Sequence, residues 1–521
     1  MIEFLRGFKS RLSGYRFWYV LELGAIVLFN LKFRIQNQRK LSKSNSSQSL
    51  KKNRKSVLIP LVETSHAKLI QMLLIGVALK LRGHRVLVLV CNGTLPICEL
   101  RSSSNKSPFP CARCKLNLSP IVKIFKLELI ELSEMSIGAT ELSKAEDVLA
   151  PIVKESVIRH FYGNLPVSKS ELSKIEELHW LAAAKILRAA ETIEAKYDPD
   201  IVIGYMLVYS AWEPLIKYFK DRRARVVSIT SHFFDKHAQI IDGFDLYSSR
   251  NRFDKFRLIA KESNESDLLD AFLRSRWGDY ASTLLHESFS AVGKQRHSVR
   301  RSVLFCPNIH WDYGMDRLSK LFDSIEDWVC GIVPLALKFP DIDFVVRAHP
   351  GEASFTVNGS LGVCDLIRNH AKAIPKNLKL LGPESPLTSY DLLAEVDMVV
   401  VMNGTIGLEA LLAQKQVIAT GSSPYAFLDG VFTPLDVNEY EDAISGKAEI
   451  SSPNYSELRE YAYFYFLKTA VPWHLTPFSF GGSIYDPLNF DELSELELGK
   501  NKYIDHICEC IIDQEKLPES W

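Results

Sequence analysis

Short apolar runs alternate along most of the chain with longer segments in which apolar positions recur every three or four residues. "SVLIPLV" (56–62) reads as a buried strand, "AKLIQMLLIGVALKLRG" (67–83) as a helix closing on Gly83, and "HRVLVLV" (84–90) as the next strand, together one βαβ unit. "DIVIGYM" (200–206), an apolar helix to about Phe219 and "ARVVSIT" (224–230) repeat the pattern. Strands alternating with helices predict a parallel sheet covered on both faces. After a segment at 253–293 that is helical and polar on one side, and a hydrophilic hinge "VGKQRHSVRR" (292–301), a second series begins. Its strands are "SVLFCPN" (302–308), "IDFVVRAHP" (342–350), "LKLLGP" (378–383), "DMVVVMN" (397–403) and "QVIATG" (416–421). The expected fold is α/β, two facing Rossmann-like domains with an interdomain cleft.

Length and charge refine that picture. A chain of 521 residues is too long for one ordinary core, and 47% hydrophobic with 24% charged residues is globular composition. The expected division is a basic N-terminal arm and linker (1–55), a first Rossmann-like domain (56–295), a second (296–454), and C-terminal helices crossing back (455–521). The overall charge of +1 conceals an arm at +11 and a remainder at −10. The body therefore offers no footprint for nucleic acid. A basic arm beside an acidic body suits an anionic membrane surface.

Within the arm, "FWYVLELGAIVLFNL" (17–31) is short for a span and is interrupted by Glu22. It reads as an interfacial anchor, a helix packed on the body, or a true span, and no small-residue cleavage site follows it. Each reading leaves the body cytoplasmic, peripheral to the inner face of the membrane. Four of nine cysteines, Cys91, Cys98, Cys111 and Cys114, lie close together. The Cys111–Cys114 knuckle has the spacing to place two thiolates on one tetrahedral ion, so the cluster reads as a structural zinc site, as two disulfides, or as unligated thiols.

In a parallel sheet ligands gather at the carboxyl ends of the strands. Three ends carry chemistry: His349-Pro350, then Glu384-Ser385, then Asn403-Gly404-Thr405-Ile406-Gly407. Gly404 and Gly407 read as positions that permit unusual backbone or close approach by a ligand, with Thr405 adding a hydroxyl. A helix starting near Ile406 would turn N–H groups toward an anion, and Glu409 one turn inside would accept from ribose hydroxyls; an ordinary capped turn is the plainer alternative. His349 reads either as a phosphate donor fixed by Pro350 or as a turn histidine. Ser385 before Pro386 reads as a helix cap.

These residues, with "YDLLAEVDMVVVMNGTIGLEALLAQKQVIATGSSPYAFLDG", resemble bacterial capsule polysaccharide biosynthesis proteins, a set of GT-B glycosyltransferases that includes Kdo transferases. The resemblance is strongest from Ser302 to Gly430. "ALKLRGHRVLVLVCNGTLPICE" with its Cys-x-x-Cys is similar to the first half of a surface-polysaccharide subset. The resemblance implies a nucleotide-sugar donor on the second domain, a saccharide or glycolipid acceptor on the first, and chemistry that needs no metal. His349 would contact donor phosphate, assisted by Thr405 and neighbouring N–H groups, and Glu409 would hold the ribose. CMP-linked Kdo, a UDP-sugar and a GDP-sugar are the candidate donors.

Arg347 and His349 would stabilise the leaving phosphate. An inverting transfer also needs a base from the first domain, for which His66, Glu63 and His232 are candidates, His66 first. Asp235 and His237 share the loop with His232, and Asn308, His310 and Asp312 follow the first strand of the second series. The alternatives are a sugar-nucleotide epimerase, a CDP-alditol phosphotransferase of similar plan, or a non-catalytic scaffold of a membrane assembly complex.

Overall fold

The computed structural model describes residues 54–62, 66–101, 110–135, 146–166, 168–205, 208–231, 237–242, 249–258, 265–278, 300–312, 314–319, 321–353, 360–473, 475, 493–514 and 516. The basic arm with its 17–31 run, Glu63, His232 and Asp235 lie outside them. Among the described residues no helix is long and apolar enough to cross a membrane.

In chain order the strands are β1 (Ser56–Leu61), β2 (Arg85–Val90), β3 (Glu128–Glu131), β4 (Ile201–Gly204), β5 (Arg225–Ser231), β6 (His237–Asp242), β7 (Arg301–Phe305), β8 (Ile342–Arg347), β9 (Leu378–Leu381), β10 (Met398–Val401), β11 (Gln416–Ala419), β12 (Val431–Phe432) and β13 (Ala470–Pro472). They form two sheets in two compact units. The first unit runs up to His160, takes residues 166–245 and regains the chain at 469–521; the second is 246–468 with the short insert 161–165. This division differs from the ranges read from the sequence. The helices Arg250–Phe256 and Glu265–Trp277 belong with the second sheet, and so does Tyr455–Tyr463, whereas only 469–521 returns to the first.

The first sheet has the order β13-β6-β5-β4-β1-β2-β3. β3 through β5 pair in parallel, but β6 folds back antiparallel on β5 and β13 pairs antiparallel with β6, so the sheet is not purely parallel as its sequence suggests. His237, read as a loop residue, opens β6. Alternate residues of β1 face two apolar layers. Val57, Ile59 and Leu61 pack with the His66–Leu81 helix and the C-terminal Lys502–Ile512 helix, while Leu58 joins Ala182, Ile186 and Trp212 on the other side. A strand covered on both faces needs the continuous apolar run that "SVLIPL" supplies. Burying each such side chain contributes about 1.5–3 kcal/mol.

The second sheet is wholly parallel, in the order β12-β11-β10-β7-β8-β9. Read outward from its first strand this is the doubly wound Rossmann arrangement, in which the connection reverses direction between β7 and β10. The first sheet reverses in the same way between β1 and β4. Two Rossmann-like α/β units are therefore built on one plan.

One expected cap is displaced. Ser385 accepts from Leu387 N–H at 3.3 Å, but the helix begins at Ser389, where Thr388 and Asp391 form a reciprocal capping box.

Candidate functional site

The reversal point of the second sheet brings together the segments that follow β7 and β10, and the segment after β8 lies on the neighbouring strand. Asn308 follows β7 and Asn403 follows β10. The side-chain oxygens of both are buried with no hydrogen-bond partner among the described residues, and Asn403 is 7% exposed. A buried amide left unsatisfied costs about 1–3 kcal/mol. Both amides flank the point where doubly wound sheets take ligands. A Cβ on Gly404 would still stand 4.0 Å from the Asn308 oxygen and 3.7 Å from Ile406. There is room beside the turn.

Neither glycine of the turn adopts the left-handed backbone that the sequence suggested. Gly407 is needed for space: a Cβ there would lie 2.2 Å from the Tyr425 hydroxyl, which itself donates to the Gly404 carbonyl. The Ile406–Leu412 helix is seven residues long, Gly407 N–H is taken by the Gly404 carbonyl at 3.1 Å, and Thr405 caps without a side-chain bond. The broad anion-facing N-terminus expected here is thus reduced to a short turn braced by Tyr425. Pro424, next to it, has its carbonyl bonded by both Ser249 and Tyr461.

Glu409 is 1% exposed. Arg276, brought in by the Glu265–Trp277 helix from 133 residues away, donates Nε–H to its Oε1 at 2.7 Å, Tyr390 lies close enough to interact with it, and Oε2 has no hydrogen-bond partner among the described residues. Burial raises the Glu409 pKa, and Arg276 opposes that shift. Tyr390 is pushed above its ordinary value by burial and then by Glu409, so its hydroxyl remains a donor.

His349 follows β8 by two residues and caps the turn Pro350–Glu352. Its Nδ1 accepts from Gly351 N–H at 3.0 Å, which leaves the proton of the neutral ring on Nε2. The residue is exposed, yet the protein packed around the ring lowers its pKa; Arg347 adds to that effect and Asp312 opposes it. It is a neutral N–H donor at pH 7. Pro350 holds the first position of the turn.

Arg347 is buried, and it grips the segment after β9 by donating to the Gly382 carbonyl and, at 3.4 Å, to that of Ser385. Its guanidinium thus braces the loop. Glu352, which the sequence reading passed over, is 2% exposed. One carboxyl oxygen accepts from Val363 N–H at 3.3 Å and the other has no partner among the described residues; burial lifts its pKa to about 7. His310 is buried against Gly163 of the 161–165 insert, whose φ of +76° and lack of a Cβ let the ring approach.

In the first unit, His66 is the first residue of its helix, directly beyond the end of β1. No disulfide joins the four cysteines, and no three of the described His, Cys, Asp or Glu residues gather as metal ligands. Cys91 and Cys98 pack in one apolar layer and Cys114 in the opposite one, while Cys111 sits on the Pro110–Ile124 helix with Cys114. Cys91 Sγ instead accepts from Leu95 N–H at 3.3 Å.

No curated protein matches the chain. Solved structures that align with it include the beta Kdo 2,4 transferase of Thermosulfurimonas dismutans KpsC, at 14% identity and TM-score 0.34, over 58% of this chain and 88% of that one. UDP-GlcNAc 2-epimerase from Neisseria meningitidis bound to UDP-GlcNAc aligns at 13% identity and TM-score 0.23, over 78% and 93%. CalG4, the calicheamicin glycosyltransferase, aligns at 14% and 0.25, over 80% and 95%. At such scores these likenesses carry no argument. Residues 294–448, less than a third of the chain and wholly within the second unit, match the family model for capsule polysaccharide biosynthesis protein, which bears out the resemblance read from Ser302 to Gly430.

Proposed function

We propose that the protein is a glycosyltransferase of capsule or related surface polysaccharide synthesis, and that its second unit binds the nucleotide of an activated sugar donor. The observation that carries this reading is the pair of unsatisfied buried amides, Asn308 and Asn403, at the reversal point of the 301–432 sheet. It lies in the segment that matches the capsule family. Neutral His349 donates its Nε2–H to donor phosphate, from a position set by Pro350 and the Gly351 bond. Developing charge on the leaving phosphate is met by that donor and by the Thr405 hydroxyl, with the turn Asn403–Gly407 lying alongside. Arg347 contributes its positive charge from within and fixes the loop after β9. An ionised carboxylate has about four lone-pair sites. Arg276 and Tyr390 leave Glu409 capacity for ribose hydroxyls.

The first unit takes the saccharide or glycolipid acceptor in this reading, and His66 is the base assigned to its hydroxyl, ahead of Glu63 and His232. CMP-Kdo is the first donor to try, before UDP- and GDP-sugars, and the basic arm is assigned to an anionic membrane surface. The test is acceptor-dependent release of nucleotide from a donor panel. Release that requires a saccharide acceptor supports transfer; conversion of the donor sugar without acceptor would replace it with epimerase chemistry.

A further inference from the structure

The Glu409 carboxylate is buried on a helix whose neighbours are almost all apolar, and an isolated buried carboxyl would take up a proton at neutral pH. The groups facing it from the packed elements are Arg276, Tyr390, Cys306 and Tyr425. Tyr390 and Tyr425 have raised pKa values, and burial pushes the Cys306 thiol up to about 12, so all three stay neutral. On the adjacent Tyr455–Tyr463 helix, Glu457 and Glu460 pair with Arg257, and Arg459 with Asp270. Of the groups facing Glu409, Arg276 alone carries charge. It arrives from outside the family-matched segment, on a helix where it lies over the Phe272 ring, 5.7 Å from its centroid, one turn back.

We propose that Arg276 is the positioning residue that keeps Glu409 an ionised, acceptor-only carboxylate for the ribose hydroxyls of the bound nucleotide. The inference rests on the donor reading above. A protonated Glu409 would present an O–H where a hydroxyl donor must be received, and the contact would be lost. Arg276 thus acts on the ligand through Glu409 rather than by touching it.

The proposal predicts an unusual pH signature. In Arg276→Met, Glu409 loses the counter-charge that opposes its burial, so its pKa rises further than in the wild type. Binding of whichever of CMP, CDP, UDP or GDP the wild type takes should fall about tenfold or more at the acid end of the titration and recover as pH is raised and Glu409 ionises. Each affinity is taken as a ratio to wild type at the same pH, which cancels titration of the phosphate itself. Over the same range the variant's stability should move the opposite way. Its Glu409 pKa is raised above the unfolded value, so the fold favours the protonated form and weakens as pH rises. Arg276→Lys, which keeps the charge, should retain the wild-type profile.

Were Arg276 a direct phosphate ligand, its loss would weaken binding at every pH and most at high pH, where Glu409 would repel the anion. That result, or a variant with wild-type affinity throughout, overturns the proposal. Glu409→Gln in the Arg276 background provides a second test that does not depend on the Met variant folding. It should weaken binding without pH dependence, and wild-type affinity there overturns the proposal equally. The two levels separate cleanly: a wild-type protein that takes no nucleotide removes the donor reading and this role with it, whereas wild-type binding with unaltered variants removes this role alone.

Discussion

The two sheets share a plan but differ in the polar groups near their reversal points, although the first unit too keeps buried atoms, His179 Nε2 and Trp212 Nε1, with no partner among the described residues. Behind β4 of the first unit, Ser210 is fully buried, its N–H bonds to Ser156 Oγ at 2.8 Å, and its hydroxyl meets His179 Nδ1 at 2.7 Å. Ser156 in turn donates to the Ile152 carbonyl. That chain of bonds ties the Glu146–His160 and Lys169–Tyr197 helices to the start of Glu213–Lys220. At the reversal point of the second unit, by contrast, Asn308 and Asn403 end in buried oxygens with nothing to bond. Polar groups that bond one another stabilise a fold; in the proposed reading, those left open at the strand ends of the second unit are where a bound nucleotide would complete the bonding.

The largest effect should come from removing one partner of the buried charge pair. Glu409→Ala strands Arg276 and should cost about 3–5 kcal/mol in chemical denaturation; a loss below about 1 kcal/mol would mean that the pair is not formed in solution. Gly407→Ala forces a methyl against the Tyr425 hydroxyl and should cost about 1–3 kcal/mol, partly recovered when Tyr425→Phe removes that oxygen. No recovery in the double variant would rule out that clash as the cause.

The contrast between the units also has a pH signature. Burial holds His160 at about 4 and His179 at about 3, the latter further lowered by its neighbour His160. Both lie below the unfolded value of about 6.5, so the unfolded chain binds more protons. Their contribution is complete above about pH 6.5 and is lost as pH falls toward the folded values, at about 1.4 kcal/mol per pH unit for each group within the window. Glu352 runs the other way. Its folded pKa of about 7 exceeds the unfolded carboxyl's, so its contribution is complete below about pH 4.3 and is lost as pH rises to about 7. Unfolding measured from pH 4 to 7.5 should therefore lose part of its rising slope in His179→Asn and part of its falling slope in Glu352→Gln. Slopes unchanged in both variants would contradict the assignment. The smallest effect on stability belongs to His349→Ala, below about 0.5 kcal/mol for an exposed turn residue, even though it should weaken nucleotide binding.

What could be read from the chain follows from how local each signal is. Strands β1, β2, β4, β5 and β7 to β11, the His349-Pro350 turn and the Asn403–Gly407 turn are written in contiguous residues and fall where the apolar runs placed them, whereas the short or edge strands β3, β6, β12 and β13 left no such run to read. The function of the turn's glycines was not legible, because it depends on Tyr425, eighteen positions after Gly407 and folded beneath it. Arg276 was invisible for the same reason: one arginine in "AFLRSRW" carries no sign that its partner is Glu409, 133 residues on. Glu352 stood beside His349 in "HPGE", but only its burial distinguishes it from a surface carboxylate. The cysteine spacing along the chain does not reveal that Cys91 and Cys98 join one apolar layer and Cys114 the opposite one.

The most direct measurement is calorimetric titration of the full chain with CMP, CDP, UDP and GDP, repeated on Asn403→Ala and His349→Ala. Saturation at about 100 times Kd should also stabilise the wild type by about 2.7 kcal/mol. The account predicts that one nucleotide binds selectively and that each substitution weakens it about tenfold or more while leaving the fold intact. Absence of binding by all four, or equal binding by wild type and both variants, would contradict a nucleotide site at the reversal point of the second sheet.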